Sequence, residues 1–355
     1  MMIPTLAGGG AEHVFLNLAV GFKKAGYQVD LILKRASGEY LSQLPEGINL
    51  IDLNASGMLA TLAGVRGYLR SQHPRVLLAG LDIPNLAAIL ARKISGSRTK
   101  VIVSVRSVIS QQRRFFLPHR SLERAFMALI YPQANRILAN SQGAAQDFSS
   151  YLHIPLSRVQ VIYNPVITDA LLEKAGQPLE HDWFRAGEPP VILSAGRLNT
   201  VKDFPTLIKA FARIWQNTPA RLLILGEGDR RSELEALVLQ LGLQEAILLP
   251  GFQQNPFAFM RRAAAFVLPS IHDASPNVLI EAMACGCPVV ATDSLGGSGE
   301  LTGYGKYGHL VPVGDDAAMA QAILDVLSGD VRKPPSEWLS QFELANIIQQ
   351  YLDII

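Results

Sequence analysis

The sequence predicts an α/β protein made of two doubly wound halves. Three observations point to it. Short apolar runs of buried-strand type alternate with amphipathic stretches along nearly the whole chain. Glycine-bearing turns punctuate the ends of those runs. The chain has 355 residues, long for a single core, and a polar, proline-bearing segment up to Pro190 reads as a linker between two domains.

Composition narrows the class. With 49% hydrophobic and 17% charged residues, and glycine and proline scattered at turns, the chain is globular. No apolar run is long enough to span a bilayer and no signal-peptide pattern opens the chain, so the expected location is cytoplasmic, with peripheral attachment to the inner face of the cytoplasmic membrane. The two cysteines, Cys285 and Cys287, read as small buried residues at a helix end and not as half of a metal site. The net charge of +2 divides unevenly: residues 1–165 carry +10 and residues 166–355 carry −8. A basic half beside an acidic one suggests that the first half faces something anionic.

In the first half, residues 1–34 read as strand, glycine loop, helix and strand, with Val14, Phe15, Leu18 and Phe22 on one helix face. Gly8, Gly9 and Gly10 precede the helix, where backbone N–H groups can approach an anion. Strands follow at 48–53, 75–80 and 100–107, the last ending in Arg106, with helices between them. A buried strand-end arginine is costly unless paired, which marks Arg106 as a candidate active-site residue. Residues 106–132 concentrate arginine among aromatic and aliphatic residues. Arg113, Arg114, Phe115, Phe116 and Arg120 form its exposed part and are expected to grip an anionic membrane surface; residues 122–131 read as a core helix. No nucleic-acid-binding motif accompanies these arginines. Strands at 136–141 and 158–166 flank an amphipathic helix and close the half.

The second half repeats the pattern. The run ILSAG is a buried strand, and Gly196-Arg197 leaves it, with Lys202 before the next helix. Two fixed cations in one strand-to-helix loop suit a multiply charged anion. Two further strands surround a helix, and Glu227 lies in the GEGD turn after the first of them. Residues 266–300 then read strand, loop with Asp273, helix opened by Pro276 and stopped by Gly286, strand, and glycine-rich turn ending in Glu300. In an open parallel sheet, ligands bind outside the carboxyl ends of the strands, where Asp273 and Glu300 are expected. The final stretch, 341–355, is a helix with an apolar stripe of Phe342, Ile347, Ile348, Tyr351, Leu352 and Ile355.

Several of these stretches resemble one family. Asp273, seven residues, Glu281, then AMACGCPVVAT and a glycine-rich segment ending in Glu300 are similar to the signature of the retaining family 4 glycosyltransferases, with Asp273 standing where the family has Glu. GGGAE, NPV and GRL-x-x-x-KD resemble further family motifs. The resemblance implies the GT-B fold: two Rossmann-like domains facing a central cleft, here residues 1–165 with the C-terminal helix 338–355, and residues 166–337. It implies transfer of a sugar from a nucleotide-sugar, a UDP-hexose or UDP-N-acetylhexosamine, to a lipid-linked or saccharide acceptor in surface glycan biosynthesis. Under it Arg197 and Lys202 clamp the diphosphate, Asp273 binds the sugar hydroxyls, and Glu281 binds the ribose. Gly196, Glu227, Gly251, Phe252, Ser275, Pro276, Asn277, Val278 and Leu279 contribute to donor binding, Glu300 orients its loop, and Arg106 lies near the reacting sugar. No cofactor is implied, and no metal: the chain contains no Asp-x-Asp pair. Two other readings stay open at this point, a nucleotide-sugar epimerase of the same fold and a non-catalytic sugar-nucleotide-binding or scaffold protein.

Overall fold

A computed structural model describes residues 1–7, 9–112 and 119–355. The chain divides into two compact units, Met1–Val166 with Gln341–Ile355, and Ile167–Ser340. Among the described residues no helix is long and apolar enough to cross a membrane.

The first unit runs β1 (Met2–Ile3), α1 (Gly10–Lys24), β2 (Asp30–Leu33), β3 (Asn49–Asp52), α2 (Met58–Gln72), β4 (Val76–Gly80), α3 (Asp82–Ser95), β5 (Lys100–Val105), α4 (Arg120–Ile130), β6 (Arg136–Ala139), α5 (Gln142–Leu152) and β7 (Val159–Val161). Its seven strands pair in parallel in the order β3-β2-β1-β4-β5-β6-β7. The order runs outward from β1 in one direction and then reverses. Right-handed crossovers therefore put helices on both faces. One face is a core in which Leu31, Leu33, Leu78, Ile102 and Leu138 meet Val14, Phe15 and Leu18 of α1. The alternate residues Ile32, Leu77 and Ala79 are buried as well, as a sheet covered on both faces requires.

The second unit runs α6 (Asp169–Gly176), β8 (Val191–Ala195), α7 (Phe204–Trp215), β9 (Arg221–Leu225), α8 (Arg231–Gln240), β10 (Ile247–Gly251), α9 (Pro256–Met260), β11 (Ala265–Leu268), β12 (His272–Asp273), α10 (Asn277–Ala284), β13 (Val289–Thr292), β14 (Leu295–Gly296), α11 (Ser298–Leu301), β15 (His309–Val311), α12 (Asp316–Leu327) and α13 (Ser336–Ser340). Six parallel strands lie in the order β10-β9-β8-β11-β13-β15. Ile192, Leu222, Ile224, Val267 and Val290 form one core face with α7 and α12. The last helix, α14 (Leu344–Leu352), belongs to the first unit, where Ile347, Ile348 and Tyr351 join the α1 core. Gly21 makes room for it, since a Cβ there would collide with the Ile348 side chain.

Three elements differ from the sequence reading. The strand expected over 158–166 stops at Val161: the chain turns at Asn164-Pro165 and Val166 N–H bonds instead to the Phe342 carbonyl at 3.0 Å. The closing helix begins only at Leu344, because Phe342 is used before it, buried edge-to-face on Tyr163 at 5.2 Å between ring centroids. A two-stranded parallel pair, β12 with β14, was not anticipated.

Candidate active site at the carboxyl edge of the second sheet

The second sheet reverses its winding between β8 and β11. A crevice is expected at that point, outside the strands' carboxyl ends. The loops that leave β8, β9, β11 and β13 all gather on that edge, and backbone bonds stitch them together. Leu198 N–H donates to the Glu227 carbonyl at 2.8 Å, Arg230 N–H to Leu198 at 3.0 Å, and Ile271 N–H to Val201 at 2.8 Å. On the other side Gly297 N–H donates to the Asp273 carbonyl at 2.9 Å, and the Thr292 hydroxyl to the Ser270 carbonyl at 2.5 Å. Two glycines make this closeness possible. Gly226 (φ 130) and Gly296 (φ 125) adopt a backbone that side chains disfavour, and a Cβ would run into the carbonyls of Gly196 and Asp273 respectively.

The stitching brings Lys202 and Asp273 together from 71 positions apart. Lys202 Nζ lies 2.6 Å from Asp273 Oδ2, and both side chains are largely but not fully covered, at 17% and 22% exposure. Asn199 sets the lysine's turn by accepting from Lys202 N–H at 3.2 Å. Arg197, in the same loop, is exposed, and among the described residues its guanidinium has no partner. The switch point therefore carries two cations and one carboxylate.

Beside it, α10 starts after Pro276 and ends in a Schellman motif: Gly286 (φ 82) donates to Met283 at 2.9 Å and Cys287 N–H to Ala282 at 3.0 Å. That geometry explains the CGC spacing. Both thiols are buried, with pKa values pushed up to about 12 by desolvation, so they are inert. Glu281, on the same helix, is also buried, and desolvation raises its pKa to about 7. Ser275, Asn277 and Val278 are half-buried, Pro276 and Leu279 buried, and Glu300 is buried in α11. Among the described residues no three His, Cys, Asp or Glu side chains converge as metal ligands.

The remaining predicted residues divide. Glu227 is exposed and paired with Arg231 at 2.7 Å. Gly251, at φ 84, accepts from Gly226 N–H at 2.9 Å, and Phe252 is exposed. In the first unit, Gly9 and Gly10 open α1 after β1. Arg106 turns into its own unit: it donates to Asn164 Oδ1 at 2.7 Å, lies 3.5 Å from the Tyr351 hydroxyl and sits 5.0 Å over the Phe15 ring. Among the described residues no carboxylate pairs with it, and desolvation lowers its pKa. Arg120 donates to the Tyr151 hydroxyl at 3.0 Å and to the Ser110 carbonyl. Gly8, Arg113, Arg114, Phe115 and Phe116 lie outside the described residues.

Sequence reading missed Asn199, Ser270 and Thr292. An Asn three residues before Lys202 was the available signal for the first, since it is a turn-capping residue. Nothing local marks the other two.

The fold is of the GT-B class, and comparison with known proteins shows a sugar-transferring enzyme. The family model "Glycosyl transferases group 1" matches residues 179–340 and "Glycosyltransferase Family 4" matches residues 8–170. A protein of Campylobacter jejuni, N-acetylgalactosamine-N,N'-diacetylbacillosaminyl-diphospho-undecaprenol 4-alpha-N-acetylgalactosaminyltransferase, is 31% identical over 344 residues, 93% of this chain and 90% of its own. Among solved structures, HepE of Anabaena in complex with UDP and glucose superposes with a TM-score of 0.80 at 20% identity, covering 99% of this chain and 97% of that one. The lipopolysaccharide outer core galactosyltransferase WaaB, in its apo form, gives 0.74 at 20% identity, covering 100% and 99%. The chain belongs to the family 4 glycosyltransferases.

Proposed function

We propose that this glycosyltransferase moves a hexosyl or N-acetylhexosaminyl group from a UDP-sugar to a lipid-linked saccharide acceptor, with retention of configuration and without a metal ion. The observation that carries the reading is the Lys202–Asp273 pair beside Arg197 at the winding reversal of the second sheet. In the reaction the bond between the sugar C1 and the β-phosphate oxygen breaks, with its electron pair left on the diphosphate. A bond from C1 to an acceptor hydroxyl oxygen forms, and that hydroxyl's proton passes to the departing diphosphate. Arg197 and Lys202 stabilise the charge that develops on the leaving group, as preorganised cations in a partly dry site do.

The pair also implies an exchange. Without donor, Asp273 neutralises Lys202. An arriving diphosphate draws Lys202 away, and the released carboxylate accepts from the sugar hydroxyls. Glu281 then accepts from the ribose, and the Gly196, Glu227, Gly251 and Phe252 turns surround the nucleoside. Glu300 orients the glycine loop against Asp273. Arg106 enters as a positioning residue, fixing Asn164 and the last turn of α14, through Tyr351, against the strand end of β5.

Two comparisons support donor and acceptor. The Campylobacter relative's name records an α-linked product and a diphospho-undecaprenol acceptor, and HepE was crystallised with UDP. The surface of α4 supports attachment to a membrane carrying such an acceptor: Leu122 and Leu129 are exposed on it beside Arg120 and Arg124. The direct test is the anomeric configuration of the product formed from an α-linked UDP-sugar in EDTA. An α-product supports the reading; a β-product, or transfer only with added metal, overturns it. Leu122→Ser with Leu129→Ser is expected to lower binding to anionic vesicles several-fold, and unchanged binding removes the membrane from the reading.

A further inference from the structure

The excess of positive charge in the first unit is not confined to the segment around Arg113. Between Leu53 and Leu122 there are 11 Lys and Arg and a single acid, Asp82. Asp82 follows β4 at its carboxyl end. Several of the cations gather at the opposite, amino edge of the same sheet, where α2 and α3 end and β4 and β5 begin.

There they surround a cavity of about 470 Å³, within the range of small-molecule sites. Arg70, His73, Arg75, Arg98 and Lys100 line it, with no Asp or Glu among the lining residues. Its floor is made of hydroxyls held in a fixed arrangement. The Thr99 hydroxyl donates to the Pro74 carbonyl at 2.7 Å, Ser97 Oγ lies 2.8 Å from Thr99 Oγ1, and Ser97 N–H reaches Ser95 Oγ at 3.2 Å. The rim is fixed too. His73 (φ 45) and Gly96 (φ 68) close the two helices in left-handed turns, and Lys100 N–H bonds to the Arg75 carbonyl at 3.0 Å.

The plain explanation, that these cations merely neutralise two helix C-termini, leaves a surplus. Each C-terminus carries about −0.5 charge, so two supply about −1 against four permanent cations. About three positive charges remain unbalanced in one concavity. Arg98 and Lys100 are exposed and, among the described residues, hold no side-chain partner.

We propose that this cavity is a second anion site, on a different unit from the donor loops, for a ligand bearing two or more adjacent phosphate groups. Guanidinium groups bind phosphate in a two-pronged fashion, and several of them around one concavity favour a multiply charged ligand over a single carboxylate. Such phosphates come either from a soluble diphosphate or from the head groups of an anionic bilayer.

The test compares the wild type with Arg98→Ser/Lys100→Ser, and with Lys23→Ser/Lys24→Ser as a control of equal charge change. Each is titrated with inorganic diphosphate and, separately, with vesicles of neutral phospholipid containing or lacking cardiolipin. Loss of two charge-assisted contacts is expected to weaken binding at least about tenfold in one arm, with the control close to wild type. Loss confined to the diphosphate arm assigns a soluble ligand, and loss confined to the cardiolipin arm assigns the bilayer. Binding that is unchanged in both arms, or lowered equally by the control, overturns the proposal. The diphosphate titrations are made with Lys202→Ala added to all three proteins, so that binding at the donor loops does not mask a loss at this cavity.

Discussion

The two sheets are wound alike and differ in what they place where the winding reverses. In the second, the reversal between β8 and β11 carries charge: Lys202 and Asp273 are paired but still partly exposed, and Arg197 stands open beside them. In the first, the reversal between β1 and β4 carries a glycine turn on one side and a buried polar network on the other. Asp82 is buried there, its pKa pushed up to about 6 by desolvation, and it accepts from the Tyr131 hydroxyl at 3.2 Å. Asn85 continues the network to the Ser104 carbonyl at 3.0 Å. Leu81, just before Asp82, takes φ 70, a strained value for leucine. One winding thus supports two different devices. Partly solvated ions can exchange partners with a ligand at modest cost, whereas a desolvated network fixes a scaffold. Function follows from the site and not from the fold that carries it.

The contrast can be broken most forcefully at Lys202. Lys202→Ala is expected to lower kcat by about 10²–10³-fold, the scale for removing one preorganised stabiliser of a leaving anion, with folding intact. Steady-state transfer assays and a melting curve check both halves of that statement.

Glu281 gives the next largest effect. Its folded pKa of about 7 lies above the unfolded value, so the folded state holds the proton more tightly. Its stability contribution is therefore present below about pH 4.5 and is lost as pH rises through 7. Glu281→Gln should raise stability at pH 8 by on the order of 2–3 kcal/mol, read by urea denaturation. It should also weaken UDP binding, since the ribose would lose its ionised acceptor. A variant that gains stability and keeps full UDP affinity would take Glu281 out of the site.

The smallest effect is expected at Asp82. Its raised pKa has the same sign, with stability lost between about pH 4 and pH 6. Asp82→Asn should flatten that loss, by about 2 kcal/mol at pH 7, and leave donor affinity unchanged. Altered donor affinity in this variant would mean that the two reversals are not separate devices.

How much of this could be read from the sequence depends on the range of the interaction. The helix between Pro276 and Gly286 was legible because both ends are encoded locally, by a proline at its start and a left-handed glycine at its close. The sheets were legible from their apolar runs. The Lys202–Asp273 contact was not, because it spans 71 positions and is created by backbone bonds between loops. Arg106 was marked as needing a partner, but Asn164 and Tyr351 lie 58 and 245 positions away. Two-residue strands such as β12 and β14 have no periodicity to detect. The basic cavity escaped for the same reason as the ion pair, its cations coming from two separate helix ends.

The most direct measurement is thermal stabilisation by UDP-, GDP-, ADP- and TDP-sugars in EDTA, for the wild type and for Lys202→Ala. A ligand that binds only the folded state raises the melting temperature according to its excess over Kd. The expected result is a clear rise with a UDP-sugar in the wild type, abolished or strongly reduced in Lys202→Ala, whose unliganded melting temperature stays near that of the wild type. No rise with any nucleotide-sugar, or an equal rise in both proteins, would contradict a donor site built on Lys202 and Asp273.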